Sequence, residues 1–256
     1  MDARVGEMGR RALLPVLLLP ALARGASGTV HYGLVFDAGS SGSRIHVYSW
    51  RTGGGGAKDG FDLIEDDLLK IKPGLSAYKA EPSKAGASLR PLLEHAKSKV
   101  PRTLLADTPV YLMATAGLRL VGEAPKDAIL DSVRKELAGS GFMFRSAWTS
   151  LLDGQDEGLY GWVTVNYLLD RLYPGGKPPV GTIDLGGGSV QLVFAPSGDS
   201  PQARLQQLTF GSRRHDVYVK SHLGYGLDEA RKRALGIVEA KARALLPPPS
   251  PPRGTD

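Results

Sequence analysis

Hydrophobic positions along the chain follow two patterns, one typical of strands and one typical of amphipathic helices. Short apolar runs bounded by Gly, Pro, Asp or Ser predict strands. The predicted strands are residues 30–36, 45–48, 108–113, 142–147, 181–183, 190–194 and 205–210. Apolar residues at helical spacing predict helices at residues 83–100, 125–138, 153–169 and 227–245. Because strands alternate with helices, the chain is predicted to have an α/β fold.

Individual residues refine the predicted helices. Pro91 is expected to kink or shorten the first helix, and Gly139 is expected to end the second. Asp153 is typical of an N-cap and begins the third helix. The third helix also has apolar residues at helical spacing, which predict a face in the core: Trp162, Val165, Leu168 and Leu169.

The two ends of the chain differ from its middle. Arg10 and Arg11 precede an apolar run at residues 12–23, and small residues follow, which is the layout of a secretory signal. The run is shorter than the ~20 residues that span a bilayer. Residues 1–28 are therefore predicted to be a signal peptide or a short membrane anchor, with a disordered leader as the alternative. A signal or anchor implies the secretory pathway: the Golgi lumen, a membrane or the cell exterior. Residues 247–256 are Pro-rich and are predicted to be a disordered tail.

A Pro- and Gly-rich segment at residues 173–179 is the best candidate for a linker. It divides the chain into a first unit at residues 29–172 and a second, partial unit at residues 173–246.

Composition excludes several classes of chemistry. The chain has 256 residues, a formal net charge of +6 and no cysteine. Without cysteine it cannot form a disulfide, a thiolate zinc site or a cysteine nucleophile. The basic excess lies near the two ends, and no run of Lys and Arg is interleaved with aromatic residues. The charge therefore does not predict a nucleic-acid partner.

Two similar loops follow predicted strands, one in each half of the chain. Loop 1 (residues 37–44) reads Asp-Ala-Gly-Ser-Ser-Gly-Ser-Arg, and loop 2 (residues 184–191) reads Asp-Leu-Gly-Gly-Gly-Ser-Val-Gln. Gly and Ser let successive backbone N–H groups converge on phosphate, and the leading Asp offers an oxygen to a divalent cation. Either loop alone is equally typical of a tight turn, whereas the pair favours a two-sided grip on one polyphosphate. The candidate phosphate-binding residues are Gly39, Ser40, Ser41, Gly42, Ser43, Arg44, Gly186, Gly187, Gly188 and Ser189.

Two further features carry candidate chemistry. At the end of a predicted strand, Thr115 offers a hydroxyl and Arg119 offers a cation, although a turn with a surface Arg has the same pattern. Glu157 lies in the first turn of the third predicted helix. Acids at such positions commonly complement the helix dipole in solvent, which lowers their pKa. The alternative is a general base, which requires desolvation to offset the dipole. Chemistry alone favours the solvated carboxylate.

Together these segments resemble the motifs of the apyrase family, the nucleoside triphosphate diphosphohydrolases, and are nearest to plant-type apyrases. Residues 36–44, 114–119, 152–169 and 183–191 are similar to the first four family motifs in order, and residues 222–231 to the stretch that follows. The resemblance implies an actin-like, ribonuclease-H-type fold with two lobes and a nucleotide in the cleft.

The resemblance also implies roles and a reaction. The implied catalytic residues are Glu157 as the base, and Ser189, Gln191 and Thr115, which orient the attacking water. Asp37 and Asp184 would hold Ca²⁺ or Mg²⁺ through waters. The implied reaction is hydrolysis of nucleoside tri- and diphosphates (ATP, ADP, UDP, GDP) with release of inorganic phosphate.

The resemblance stops where the chain becomes Pro-rich. Family members continue with a fifth motif and the rest of the second lobe, so that lobe is expected to be incomplete and the activity impaired. One alternative is an exopolyphosphatase-like enzyme of the same superfamily, which also has paired Asp-x-Gly loops; residues 158–162 and the leader argue against it. The other alternative is a nucleotide-binding fragment without turnover.

Overall fold

The computed structural model describes residues 28–52, 61–198 and 205–245. Apart from its last residue, the predicted signal or anchor lies outside these ranges, as does the Pro-rich tail. Among the described residues, no helix is both long and apolar enough to cross a membrane.

Five strands form the first sheet, with β1 at its centre. They are β1 (Val30–Ala38), β2 (Ser43–Thr52), β3 (Phe61–Ile71), β4 (Val110–Ala114) and β5 (Thr149–Leu151), in the spatial order β3-β2-β1-β4-β5. β1 pairs antiparallel with β2 and parallel with β4. The segments that follow β1 and β4 therefore lie side by side at one edge of the sheet.

The main hydrophobic core lies between this sheet and the helices that cover it. The helices of this part of the chain are α1 (Arg90–Lys99), α2 (Ala116–Arg119) and α3 (Glu123–Ala138). Leu34 and Phe36 of β1 are fully buried in one cluster with Leu92 of α1 and with Ile129 and Val133 of α3. Burial of each such side chain contributes about 2 kcal/mol to the free energy of folding. The core thus fixes the strand ends from which the loops emerge.

Four antiparallel strands form the second sheet. They are β6 (Thr182–Leu185), β7 (Ser189–Phe194), β8 (Leu205–Phe210) and β9 (Arg213–Leu223), in the order β6-β7-β9-β8. Helix α4 (Gly154–Leu168) packs on this sheet, with Trp162 fully buried in a cluster with Val193 and Val217. The Asn166 side chain exchanges two hydrogen bonds with the backbone of Val180, at 2.8 and 3.1 Å. The division of the chain at residue 173 stays a prediction.

The predicted elements are largely confirmed, and the errors have physical causes. β8 and α5 (Leu227–Leu245) have the predicted bounds. The predicted strand at residues 142–147 is wrong: Met143 makes one isolated bridge, through the backbone of Thr108 and Val110, and from Leu112 onward β4 pairs with β5 instead. Pro91 lies in the first turn of α1, where its missing N–H costs nothing, so it begins a helix instead of kinking one. β3 and β9 are not among the predicted strands.

The open side of the second sheet is apolar and exposed. In the described part of the chain β6 pairs only with β7, whereas β1 has neighbours on both edges. Ile183 and Leu185 of β6 are more than half exposed, and α5 has no buried residue.

The core face predicted for α4 is confirmed only for Trp162. Three residues of that face are exposed: Val165, Leu168 and Leu169.

Candidate active site

Loop 1 connects β1 to β2, and loop 2 connects β6 to β7, so the loops occupy the same place in two similar hairpins. Asp37 lies opposite Arg44 in the first hairpin, and Asp184 lies opposite Gln191 in the second. Each leading Asp therefore faces the last residue of its own loop. The likeness between the loops in sequence is also a likeness in strand register.

The two loops touch, and glycines make the contact possible. A Cβ atom on Gly187 would collide with Ser40 Oγ of loop 1 and with the Asp228 carboxylate at the start of α5. A Cβ atom on Gly188 would lie 2.9 Å from the Cβ of Ala116 in α2. The overlap at Gly187 would displace two side chains, and the overlap at Gly188 would push loop 2 away from α2, because the Ala116 Cβ cannot turn aside. The loops and α2 therefore form one continuous surface.

Two more glycines hold the backbone of loop 1 from outside. A Cβ atom on Gly117 would lie 2.7 Å from the Cα of Ser40, and one on Gly74 would lie 2.5 Å from the carbonyl oxygen of Gly39. Gly74 follows β3 and belongs to none of the motifs recognised in the sequence. The backbone N–H groups of loop 1 are thus positioned by packing, as preorganised binding of an anion requires.

Glu157 reaches this surface from the first turn of α4. Its carboxylate forms an ion pair with the Arg119 guanidinium at the end of α2, and the two side chains are only 19% and 11% exposed. The start of the helix is fixed by Asp153, whose side chain accepts a hydrogen bond from the Gln155 backbone N–H at 2.8 Å. This confirms Asp153 as the N-cap. The solvated position that chemistry alone favoured for Glu157 is not the observed one.

Burial raises the pKa of Glu157 from 4.5 to about 7. The charge of Arg119 and its hydrogen bond lower this pKa, and the like charges of Asp184 and Asp37 raise it. Desolvation therefore outweighs the Arg119 cation, and the pKa is raised, whereas the position at a helix N-terminus predicts a lowered pKa. A carboxylate with a pKa near 7 suits general-base catalysis at neutral pH.

Ser189 and Gln191 lie beside Glu157 and are almost fully buried. Gln191 Nε2 donates to Ser189 Oγ at 2.7 Å and to Glu157 Oε2 at 3.4 Å. Arg119 Nη2 donates to the same Ser189 Oγ at 3.5 Å. The structure thus brings three candidate residues from two distant motifs into one hydrogen-bond network and adds Arg119 to it.

Thr115 occupies a different part of the surface. It follows β4 at the N-cap of α2, and its backbone N–H donates to the carbonyl of Ala38 at 3.2 Å. Its hydroxyl makes no capping hydrogen bond in α2. Thr115 therefore lies beside the start of loop 1, and its role in orienting water stays a prediction.

Asp37 and Asp184 are the carboxylates that the loops offer to a cation. Both are close enough to Glu157 to raise its pKa, and Asp37 already holds a positive charge, the Arg44 guanidinium. Within the described ranges, no three His, Asp or Glu side chains converge on a common point. Two carboxylates without a third suit a hard cation that keeps most of its waters, as Mg²⁺ does and as Ca²⁺ can. The residues present therefore fit such an ion held through water.

Two side chains of the site are absent from the sequence candidates. Ser221 lies opposite Gln191 in the β7–β9 pairing, and its Oγ accepts from Gln191 Nε2 at 3.1 Å. Asp228 lies against loop 2, and its backbone N–H donates to the Gly187 carbonyl at 3.0 Å. The similarity of residues 222–231 to the family indicated the neighbourhood of Asp228. No local signal marks Ser221, because its partner is reached only through strand pairing.

Comparison with known proteins decides the family. Residues 25–254 match the GDA1/CD39 (nucleoside phosphatase) family. The chain belongs to this family. It is 37% identical over 235 residues to probable apyrase 5 of Arabidopsis thaliana, a match that covers 88% of this chain and 47% of that protein. It is 38% identical over 221 residues to the human nucleoside diphosphate phosphatase ENTPD5, covering 84% of this chain and 51% of that protein. The resemblance seen in the sequence is thereby confirmed.

The matches cover most of this GDA1/CD39 chain but only part of each relative. The chain spans about half the length of the curated relatives it matches. A crystal structure of nucleoside triphosphate hydrolases from Neospora caninum is similar with a TM-score of 0.57 at 20% identity, covering 88% of this chain and 50% of that chain. This likeness concerns the fold alone and agrees with the mixed α/β architecture.

Proposed function

We propose that this GDA1/CD39 chain hydrolyses nucleoside tri- and diphosphates, such as ATP, ADP, UDP and GDP, and releases inorganic phosphate with Ca²⁺ or Mg²⁺ present. The observation that carries the proposal is Glu157, a carboxylate with a pKa of about 7 beside two Asp-x-Gly loops in contact. Membership of a nucleoside phosphatase family supports the same class of reaction.

In the proposed reaction the backbone N–H groups of loops 1 and 2 bind the phosphate oxygens. Glu157, when ionised, accepts a proton from water as the water oxygen bonds to the terminal phosphorus. The bond to the bridging oxygen breaks, and its electron pair leaves with the nucleotide. Ser189 and Gln191 orient the water. They hydrogen-bond to each other, and Gln191 also donates to Glu157. A cation held through waters by Asp37 and Asp184 would neutralise phosphate charge.

A phosphate-release assay on the purified chain tests the proposal. We expect release from ATP and ADP in the presence of Ca²⁺ or Mg²⁺, and a loss of about 10²- to 10⁴-fold in Glu157→Gln, the range for removal of a general base. Glu123→Gln is the matched control, because it makes the same change in the first turn of α3, where the side chain is 86% exposed. Release from inorganic polyphosphate alone would contradict the assignment to nucleotides.

Dependence on the cation is tested separately. We expect a chelator to abolish phosphate release and added Ca²⁺ or Mg²⁺ to restore it. Asp184→Asn should raise the cation concentration needed for half-maximal rate, because one of two carboxylates loses its charge. Asp216→Asn, which removes a charge that pairs with Arg214 on β9, is the control. An unchanged cation requirement in Asp184→Asn would remove Asp184 from the proposed site.

A second candidate function is nucleotide binding without turnover. It is favoured by the open edge of β6 and by α5, which has no buried residue, because both leave one side of the site without cover. Saturable ATP binding by equilibrium dialysis, with no phosphate release from the wild-type chain, would establish this candidate instead of hydrolysis.

We also infer that the two sheets are the lobes of an actin-like fold and that the second lobe is incomplete. The two similar hairpins support the inference, as does the absence of a described neighbour at the outer edge of β6. Hydrogen exchange tests it, since the outward N–H groups of β6 should exchange quickly while those of β1 stay protected. Slow exchange at both strands would contradict an open edge.

We place the chain in the secretory pathway, with a membrane as a further partner if the N-terminal segment is retained as an anchor. The layout of residues 1–28 supports this proposal. Translation in the presence of microsomes should give a product that resists protease. Shortening of that product indicates a cleaved signal, and retention in the membrane pellet indicates an anchor. A protease-sensitive product would overturn the placement.

A further inference from the structure

We propose that Ser221 is a positioning residue of the active site, which fixes the orientation of the Gln191 side-chain amide next to Glu157. The inference deepens the proposed hydrolysis and rests on it. Ser221 belongs to none of the motifs recognised in the sequence and lies on β9, outside both loops.

The hydrogen bonds of Gln191 carry the argument. Its Nε2 has two hydrogens, and the two nearest acceptors are Ser189 Oγ at 2.7 Å and Ser221 Oγ at 3.1 Å. Glu157 Oε2 is a more distant third acceptor at 3.4 Å. With the amide reversed, its carbonyl oxygen would face the Glu157 carboxylate. The Glu157 carboxylate therefore selects the orientation in which the N–H₂ group faces the site, because a carboxylate can only accept. The two serine hydroxyls accept from that N–H₂ group and hold it in place.

This orientation decides what Ser189 can do. A hydroxyl that accepts hydrogen bonds from Gln191 and Arg119 keeps its own hydrogen for donation. That hydrogen is then available to the attacking water or to a phosphate oxygen. If Gln191 loses the acceptor at Ser221, its amide is held by one hydrogen bond fewer and can turn away from Ser189, so the Ser189 hydrogen is no longer fixed for donation. Ser221 thus acts through Gln191 and has no contact with the nucleotide in this scheme.

Packing shows why the position holds a small residue with a hydroxyl. Ser221 lies opposite Gln191 in the register of β7 and β9. On its other side it contacts Gly154, the first residue of α4, where a Cβ atom would collide with Ser221 Oγ and with the Arg119 guanidinium. Ser221 is therefore held between the strand that bears Gln191 and the helix that bears Glu157.

The test compares Ser221→Ala with Ser49→Ala, a matched loss of a hydroxyl from a buried strand residue in the other sheet. In the phosphate-release assay, kcat of Ser221→Ala should fall about 3- to 10-fold, the effect of one neutral hydrogen bond, with KM unchanged. Adding Ser221→Ala to Gln191→Ala should cause no further loss, because residues that act through one group are not additive. Ser49→Ala should retain the wild-type kcat.

A second measurement does not need turnover. In ¹⁵N–¹H spectra of the folded protein, the Gln191 side-chain amide should give two distinct signals, which shift and exchange faster in Ser221→Ala but not in Ser49→Ala. If the wild-type chain shows no phosphate release, the proposed function fails, and these signals alone decide whether Ser221 holds Gln191. Unchanged Gln191 signals in Ser221→Ala, or additive losses in the double variant, would overturn the proposal.

Discussion

Arg119 and Glu157 form an ion pair that joins the end of α2 to the start of α4 across 38 positions of the sequence. Because both side chains are largely buried, each charge is compensated mainly by the other. The pair also keeps Glu157 more readily ionised than burial alone would allow. Arg119 thus sets how much of the candidate base is available at neutral pH.

Replacement of Arg119 should therefore change the pH dependence of the reaction. In Arg119→Ala the pKa of Glu157 should rise above its value of about 7, because the opposing positive charge is lost. The acidic limb of the kcat/KM profile should move to higher pH, so the loss of rate should be larger in acid than in alkali. Arg119→Lys keeps the positive charge, so it should shift the acidic limb less than Arg119→Ala does. Arg134→Ala, which removes a partner of Asp131 on α3, serves as control. If the acidic limb of the kcat/KM profile stays at the same pH in Arg119→Ala, Arg119 does not affect the pKa of the base.

The raised pKa of Glu157 also predicts how stability depends on pH. Between pH 4.5 and about 7 the folded chain keeps a proton that the unfolded chain has lost, so the Glu157 contribution is full below this window and disappears as pH rises through it. The loss is at most about 3 kcal/mol. Glu157→Gln should not show this pH-dependent loss. The free energy of unfolding of Glu157→Gln relative to wild type should therefore increase from pH 4 to pH 8. Urea unfolding at both pH values measures the change. An equal difference in free energy of unfolding between the two chains at pH 4 and pH 8 would argue against a buried, titrating Glu157.

Gly187→Ala should damage the site without unfolding the chain. The added Cβ would meet Ser40 Oγ and the Asp228 carboxylate, so both side chains would have to turn away and the contact between loops 1 and 2 would change. We expect phosphate release to fall at least about tenfold, since small misplacements of binding groups are costly, while circular dichroism stays native. Gly161→Ala is the control, because nothing lies within 4 Å of a Cβ atom there. That change in α4 should raise stability by up to about 1 kcal/mol. Full activity of Gly187→Ala would show that the loop contact is dispensable.

Trp162→Ala should lower stability more than any surface change near the site. Trp162 is fully buried against the second sheet, with its ring 5.7 Å from that of His215. Its truncation should cost about 3–5 kcal/mol, measured as the free energy of unfolding in urea. Trp148→Ala, which removes a half-buried ring from Tyr111, should cost less. Equal losses would mean that α4 does not depend on this core.

Local features were predictable from sequence, and features that depend on distant contacts were not. The hairpin loops at Asp37 and Asp184 and the cap at Asp153 follow from a few adjacent residues, and the structure has them where expected. The pKa of Glu157 was predicted in the wrong direction. Its cause is burial among side chains from α2 and β7, which no local pattern contains. The residues alone left a general base as the less favoured alternative, and only the resemblance to a family favoured it.

The same dependence on distant contacts explains where the fold was predicted wrongly. The repeat of apolar residues in α4 predicts one buried face, yet of its four residues only Trp162 lies against the sheet, where Leu159 joins it, and Leu168 is 73% exposed. Helical periodicity fixes which residues share a face but not what covers that face. Ser221 was missed for a related reason, since pairing of β9 with β7 alone brings it to Gln191.

The contact between loops 1 and 2 also determines when the site can appear during folding. Arg119 and Ser189, which share a hydrogen bond, are 70 positions apart in the chain, and the contact between Ser40 and Gly187 spans more sequence still. Closing such long loops is entropically costly and slow. Neither hairpin can nucleate the site alone. Catalytic competence should therefore be the last property that a refolding or nascent chain acquires, after both sheets have formed.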